Sequence, residues 1–281
     1  MKIFRRAMIS SASILLALSL SACGLVSQKD DDDTTAKEIT EAEISDTTAP
    51  DTEPPAPPHR FKDGKTVVCI DPGHGFRDVG CDTALLNGTE SEVTLDVALR
   101  LKAELENRGA VVILLHDGES FPKESEIMAA ADRLGIEYKP DSIIENDIFS
   151  AYERAIYAST IGEEMAIDLY ISLHVNSIEG HPEVGRYEID YYEGNPEAAF
   201  LADFCATLAA KLETEKKAVV FCDDYENAFI VTKPMTHPSV LIEMGYATNE
   251  RDSADLNDPA WRDAFVKRIC DSLDSALEKV H

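Results

Sequence analysis

Three apolar segments of this chain each stop at a side chain able to hold a metal or move a proton, and this restricts the folds open to it. Thr66-Val67-Val68-Cys69-Ile70 runs into Asp71-Pro72-Gly73-His74-Gly75. Leu169-Tyr170-Ile171-Ser172-Leu173 runs into His174, and Ser239-Val240-Leu241-Ile242 runs into Glu243. Each run is too short for a helix and is bounded by turn formers, so each reads as a buried strand. Ligands of α/β sheets bind at the carboxyl ends of the strands. Two histidines and a glutamate brought to one edge are the parts of a hydrolytic zinc site.

The rest of the sequence fits an α/β reading. Strands are expected at 66–70, 110–115, 167–173, 186–192, 229–232 and 239–243. Helices are expected at 90–108, 123–136, 146–162, 195–214 and 259–279. Strand–helix alternation implies a largely parallel central sheet sandwiched by helices. The first helix is the best specified. Thr89 and Glu92 have capping-box spacing, Val93, Val97, Leu101 and Leu105 form one apolar stripe, and Gly109 is a natural stop. Glu90 therefore lies in the first helical turn, where the helix dipole favours a carboxylate.

The chain has 281 residues and a formal net charge of −27, from 53 acidic and 26 basic side chains. That charge argues against nucleic acid or an anionic lipid surface as partner. None of the six cysteines forms a CxxC pair, so a thiolate zinc knuckle is not expected. Cys69, Cys205 and Cys270 fall in core elements and read as buried free thiols.

Residues 1–22 read as a signal peptide. Lys2, Arg5 and Arg6 precede an apolar stretch, Ile9 to Leu20, that is short for a membrane span. Leu20-Ser21-Ala22-Cys23-Gly24 resembles the lipobox of bacterial lipoproteins, which implies cleavage before Cys23, lipidation of Cys23 and an extracytoplasmic, lipid-anchored protein. Residues 23–59 carry an Asp30–Asp33 run and a proline cluster with almost no large apolar side chains, the composition of a disordered linker. The folded domain is expected over 60–281, with an insertion at about 117–149.

Taken singly, the site residues are ambiguous. Glycines on both sides of His74 allow a sharp turn and a close ligand. His174 alone fits a hydrogen-bonded core histidine as well as a ligand. Glu243 either opens a solvated loop or is a placed catalytic group. In combination, the blocks "VVCIDPGHGFRDVGC…NGTESEVTLDVALRLKAEL", "DLYISLHVNS" and "PSVLIEMGYATN" closely resemble the zinc-dependent N-acetylmuramoyl-L-alanine amidases of the amidase-3 domain family, whose fold is phosphorylase/hydrolase-like. The resemblance implies Zn2+ bound by His74, Glu90 and His174, with Glu243 as catalytic acid/base. It also implies peptidoglycan as substrate, cut between N-acetylmuramic acid and L-alanine by a zinc-activated water. Glu92 is the rival helix ligand, although its capping role already occupies it.

There are departures from the pattern. His116-Asp117 stands where the family's second strand usually ends in Thr-Arg, and His116 reads as a surface residue, the alternative being a group that supports the metal ligands or touches substrate. Arg154 matches the family's helix arginine, whereas Ser159 replaces its asparagine. Within the insertion, Ile127, Met128, Ala131 and Leu134 recur at helical spacing, suiting either peripheral decoration or a lid over the metal. Two other functions remain open from sequence: a zinc exopeptidase on short cell-wall peptides, and a non-catalytic muropeptide-binding lipoprotein. Oligomeric state is not legible.

Overall fold

Strand periodicity sorts the apolar side chains onto two faces. Val68 and Ile70 enter one core while Cys69 between them enters another. Leu169, Ile171 and Leu173 join the first and Tyr170 the second. Val240 and Ile242 likewise oppose Leu241. Successive side chains of a strand point to opposite faces, so a sheet carrying these runs has to be covered on both sides.

The computed structural model describes residues 65–136, 138, 150–224, 227–233 and 237–280. The expected signal peptide, Cys23, the expected linker at 23–59 and most of 137–149 lie outside the described residues. The six strands are β1 (Val67–Pro72), β2 (Val111–Leu114), β3 (Leu169–Asn176), β4 (Tyr187–Tyr192), β5 (Ala218–Asp223) and β6 (Ser239–Tyr246). They form one sheet in the order β2-β1-β3-β6-β4-β5. The pairs β2/β1, β1/β3 and β3/β6 are parallel, β4 runs antiparallel to β6, and β5 is parallel to β4. The expected α/β class with a largely parallel sheet is what the chain adopts.

The helices are α1 (Glu90–Asn107), α2 (Glu124–Arg133), α3 (Ala151–Glu164), α4 (Ala198–Leu212), α5 (Glu250–Asn257) and α6 (Pro259–Leu277). Leu101 and Leu105 of α1, Phe204 and Leu208 of α4 and Phe265 and Ile269 of α6 fill the larger core. Fully burying side chains of this size contributes ~1.5–3 kcal/mol each. On the other face, Ala155 and Ile156 of α3 pack with Ile127, Ala130 and Ala131 of α2. Ile127 and Ala131 of the insertion's apolar stripe thus join the second helical layer and Leu134 packs against it, whereas Met128 faces solvent. Among the described residues, no helix is long and apolar enough to cross a membrane.

One expectation fails here, and two elements were not foreseen. Residues 229–232 do not form a strand: they turn, with Phe229 and Ile230 exposed and only Val231 and Thr232 buried. The strand that occupies the sheet edge is Ala218–Asp223, where Val220 faces solvent. Helix α5 was not foreseen because only Asp252, Ser253 and Leu256 are buried, leaving no apolar stripe.

Candidate metal centre

The three parallel strands β1, β3 and β6 end side by side, and the segments leaving them build the site. After β1 the backbone turns through unusual angles, with φ of 64° at His74, 124° at Gly75 and 58° at Phe76. Left-handed conformations cost a side-chain-bearing residue about 1–2 kcal/mol, so neighbours must hold this turn. Gly75 and Asp78 exchange backbone hydrogen bonds of 2.7 and 3.0 Å. The Thr94 hydroxyl donates to the Gly73 carbonyl at 2.8 Å. His116 is buried rather than at the surface, with Nε2 2.9 Å from the Pro72 carbonyl and its ring against Phe76. Beneath lies a buried ion pair, Arg154 Nε to Asp71 Oδ1 at 2.7 Å, while Tyr170 and Ser172 hydroxyls donate to Asp71 Oδ2.

The turn delivers His74 to Glu90 and His174. His74 Nε2 lies 3.2 Å and His174 Nδ1 3.1 Å from the same oxygen, Glu90 Oε1. One potential ligand atom from each residue falls within 4.8 Å of the others. The carboxylate is fixed by the backbone: Val175 N donates to Oε1 at 2.9 Å and Cys81 N to Oε2 at 2.8 Å. Glu92, two residues on, points away and accepts from Thr89 N at 2.8 Å, closing the helix cap. Gly80 has a φ of 67°, and a Cβ there would fall 2.6 Å from Glu90 Oε2 and 2.8 Å from His74 Cδ2. The ligand cluster is packed against bare backbone, which only glycine permits.

Glu243 stands on β6 directly beside His174 in the register. It is buried, and its Oε2 has no hydrogen-bond partner among the described residues. A buried carboxylate oxygen without a partner is costly unless something else is meant to engage it. Burial is the largest cause pushing its pKa well above the usual range, and the negative charges of Glu90, Asp190 and Glu188 add to it. Burial disfavours charge on His74 too, but the carboxylates of Asp78 and Glu90 outweigh it and hold that imidazole up at about 9. Burial likewise opposes ionisation of Glu90, yet the two histidines hold its pKa well below the usual carboxylate range. Two imidazoles and one carboxylate converging in this way could hold a metal ion, and this is a donor set that zinc takes.

The structure thus brings His74, Glu90, His174 and Glu243 to one edge. A further row was missed from sequence. Glu188 of β4 pairs with Glu243 across the antiparallel ladder. Its Oε1 accepts from Arg186 Nε at 2.6 Å and from the Tyr246 hydroxyl at 2.7 Å, and its Oε2 accepts from Asn176 Nδ2 at 3.2 Å. An acidic residue within a strand reads as solvent-facing. Arg186, Asn176 and Tyr246 together explain its burial.

Residues 68–275 match the sequence profile of the N-acetylmuramoyl-L-alanine amidases. The chain belongs to that family. Among characterised relatives, the N-acetylmuramoyl-L-alanine amidase LytC of Bacillus subtilis is 28% identical over 212 residues, covering 74% of this chain and 34% of LytC. The germination-specific N-acetylmuramoyl-L-alanine amidase of the same organism is 27% identical over 207 residues, covering 72% of this chain and 76% of the relative. The match spans about a third of LytC and of a Bacillus anthracis cell wall amidase, 34% and 36% of their lengths. Two solved structures share the amidase fold. The CwlD amidase of Clostridioides difficile, in complex with the GerS lipoprotein, superposes with a TM-score of 0.59 at 20% identity, over 76% of this chain and 99% of that one. AmiC2 of Nostoc punctiforme gives a TM-score of 0.56 at 24% identity, over 76% and 98%.

Proposed function

We propose that this protein hydrolyses the amide joining the lactyl group of N-acetylmuramic acid to L-alanine in peptidoglycan, with zinc held by His74, Glu90 and His174. The observation that carries this reading is the position of Glu243: beside the His74, Glu90 and His174 cluster, with a buried carboxylate oxygen that no other group engages among the described residues. Zinc, when bound, supplies a Lewis acid that acidifies water and polarises the carbonyl under attack. Glu243 accepts the proton of the attacking water and passes it to the leaving nitrogen, so that water adds across the amide as the C–N bond breaks. The products are a lactyl carboxylate and a free L-alanine amino group. Glu90, fixed by two backbone N–H groups, keeps the two histidines in register. Asp78 lies 2.9 Å from His74 Nδ1 and orients that ring.

The lipobox-like segment at Cys23 supports an extracytoplasmic location on a lipid tether, beside the polymer to be cut. The Cys23→Ser variant should then leave the membrane fraction. The activity itself is tested by mass spectrometry of digested peptidoglycan together with metal analysis. New L-alanine amino termini and lactyl-ended glycans with about one zinc per chain are expected. Release of amino acids from short peptides alone would instead mean an exopeptidase, and tight muropeptide binding without turnover a non-catalytic protein.

A further inference from the structure

The site edge continues past Glu243. By register, His174, Glu243 and Glu188 form a row across β3, β6 and β4. Beyond it, Arg186 lies just before β4, bonded to Glu188 and stacked with its guanidinium carbon 5.4 Å from the centre of the Tyr246 ring. Glu188 is almost wholly buried, whereas a quarter of the Arg186 side chain remains exposed. The Nε and Nη2 edge of the guanidinium faces Glu188 Oε1, at 2.6 and 2.5 Å. Nη1 makes no hydrogen bond or ion pair among the described residues. The guanidinium is thus immobilised on one edge and open on the other, in a chain of net charge −27 where free cations are scarce.

We propose that Arg186, held by Glu188 and Tyr246, is a subsite that reads a carboxylate on the stem residue following L-alanine. The inference rests on the amidase reading above. Its geometry follows from the sheet. Adjacent strands are ~4.8 Å apart, so Glu188 lies roughly one spacing from Glu243 and two from His174. Consecutive residues are 3.8 Å apart at Cα in any peptide, so a carboxyl carried by the residue after L-alanine falls about 4–8 Å from the scissile bond. In peptidoglycan that residue is D-glutamate joined through its side chain, leaving a main-chain carboxyl that is either free or amidated. A guanidinium with an open donor edge suits the free carboxylate, and bidentate or charge-assisted contacts favour it over the amide.

The test uses the full chain and two disaccharide-peptide muropeptides that differ only in D-glutamate or D-isoglutamine at the second position. The native protein should cleave the carboxylate form with kcat/KM about tenfold above the amidated form, the worth of ~1.4 kcal/mol. Arg186→Gln should collapse that ratio toward one, chiefly through KM, and Arg186→Lys should restore part of it. Because Arg186→Gln strands the buried Glu188 charge, the double variant R186Q/E188Q is measured alongside. It should show the same collapsed ratio whether or not the single variant folds. Equal rates on the two substrates by the native protein, or an unchanged ratio in the double variant, overturn the subsite alone. Failure of the native protein to cut either substrate overturns the amidase reading and the subsite with it.

Discussion

Adding one methyl group at Gly80 should cripple metal binding without removing any ligand. The backbone there has φ of 67°, and the new Cβ would stand 2.6 Å from Glu90 Oε2 and 2.8 Å from His74 Cδ2. Ordinary contact begins near 3.4 Å. The carboxylate would have to withdraw by about 0.8 Å, the difference between 3.4 and 2.6 Å. Glu90 is anchored at both oxygens, by Cys81 N and Val175 N, so it can move only by giving up a backbone hydrogen bond. The left-handed alanine costs ~1–2 kcal/mol of stability on its own, and disturbing a ligand's supports usually weakens metal affinity by about 10–100-fold. Gly109→Ala separates the two effects. That residue also has positive φ, 92°, but its Cβ would meet nothing within 4 Å. Thermal unfolding of the metal-stripped proteins should show a loss for both variants, larger for Gly80→Ala by the ~0.5–1.5 kcal/mol of the hydrogen bond that Glu90 gives up. Competition with a zinc chelator should show weakened affinity for Gly80→Ala alone. Zinc affinity within twofold of the native value in Gly80→Ala would refute the reasoning that this glycine sets the ligand geometry.

Other outcomes follow from the same cluster. Glu243→Gln should retain zinc and the fold while losing a factor of roughly 10²–10⁴ in turnover on peptidoglycan, since a positioned acid/base is worth about that much; near-native turnover would place the proton transfer elsewhere. Glu90→Ala should lose zinc by metal analysis, whereas Glu92→Ala should keep it and lose only ~0.5–2 kcal/mol of stability from the cap. In metal-stripped protein His74 is held up at about 9 by Asp78 and Glu90 despite burial, so it is protonated at neutral pH. Zinc loading near pH 7 should therefore release about one proton from it, measurable by calorimetry in buffers of differing ionisation enthalpy. Because this folded-state pKa lies above the unfolded value of ~6.5, its contribution to apo stability is complete below about pH 6.5 and fades as pH rises through about 9. Apo stability that increases across that window would contradict the assignment.

Much of the site was legible because strands announce where they end. An apolar run that stops at His174 or Glu243 places that side chain at a sheet edge whatever the topology, and the box of glycines around His74 needs only local rules. The family resemblance pointed to Glu90 rather than Glu92, and the helix cap agreed, since Thr89 and Glu92 satisfy each other over three residues. What sequence could not supply is whatever depends on a distant partner. His116 reads as a surface group until β2 lies beside β1 and offers it the Pro72 carbonyl. Glu188 reads as an exposed strand acid until Tyr246 and Asn176 converge on it. Phe229, Ile230 and Val231 have strand composition, but the free edge of β4 is already taken by Ala218–Asp223.

Because β4 runs against β6, the segment 177–186 departs from the sheet and rejoins it on the same side. It arches over the end of β6, tied by Ile178 N to Thr248 Oγ1 at 3.1 Å and by Asn249 Nδ2 to the Pro182 carbonyl at 2.8 Å. Lengthening such a loop costs only about 0.6 kcal/mol for each doubling, and it shifts no strand register. Loops of foreign sequence could therefore be grafted between Asn176 and Arg186 to change what the proposed site accepts, while His74, Glu90, His174 and both cores stay as they are. In a fully parallel sheet the same graft would have to span a crossover to the opposite edge, and specificity could not be exchanged so independently of the scaffold.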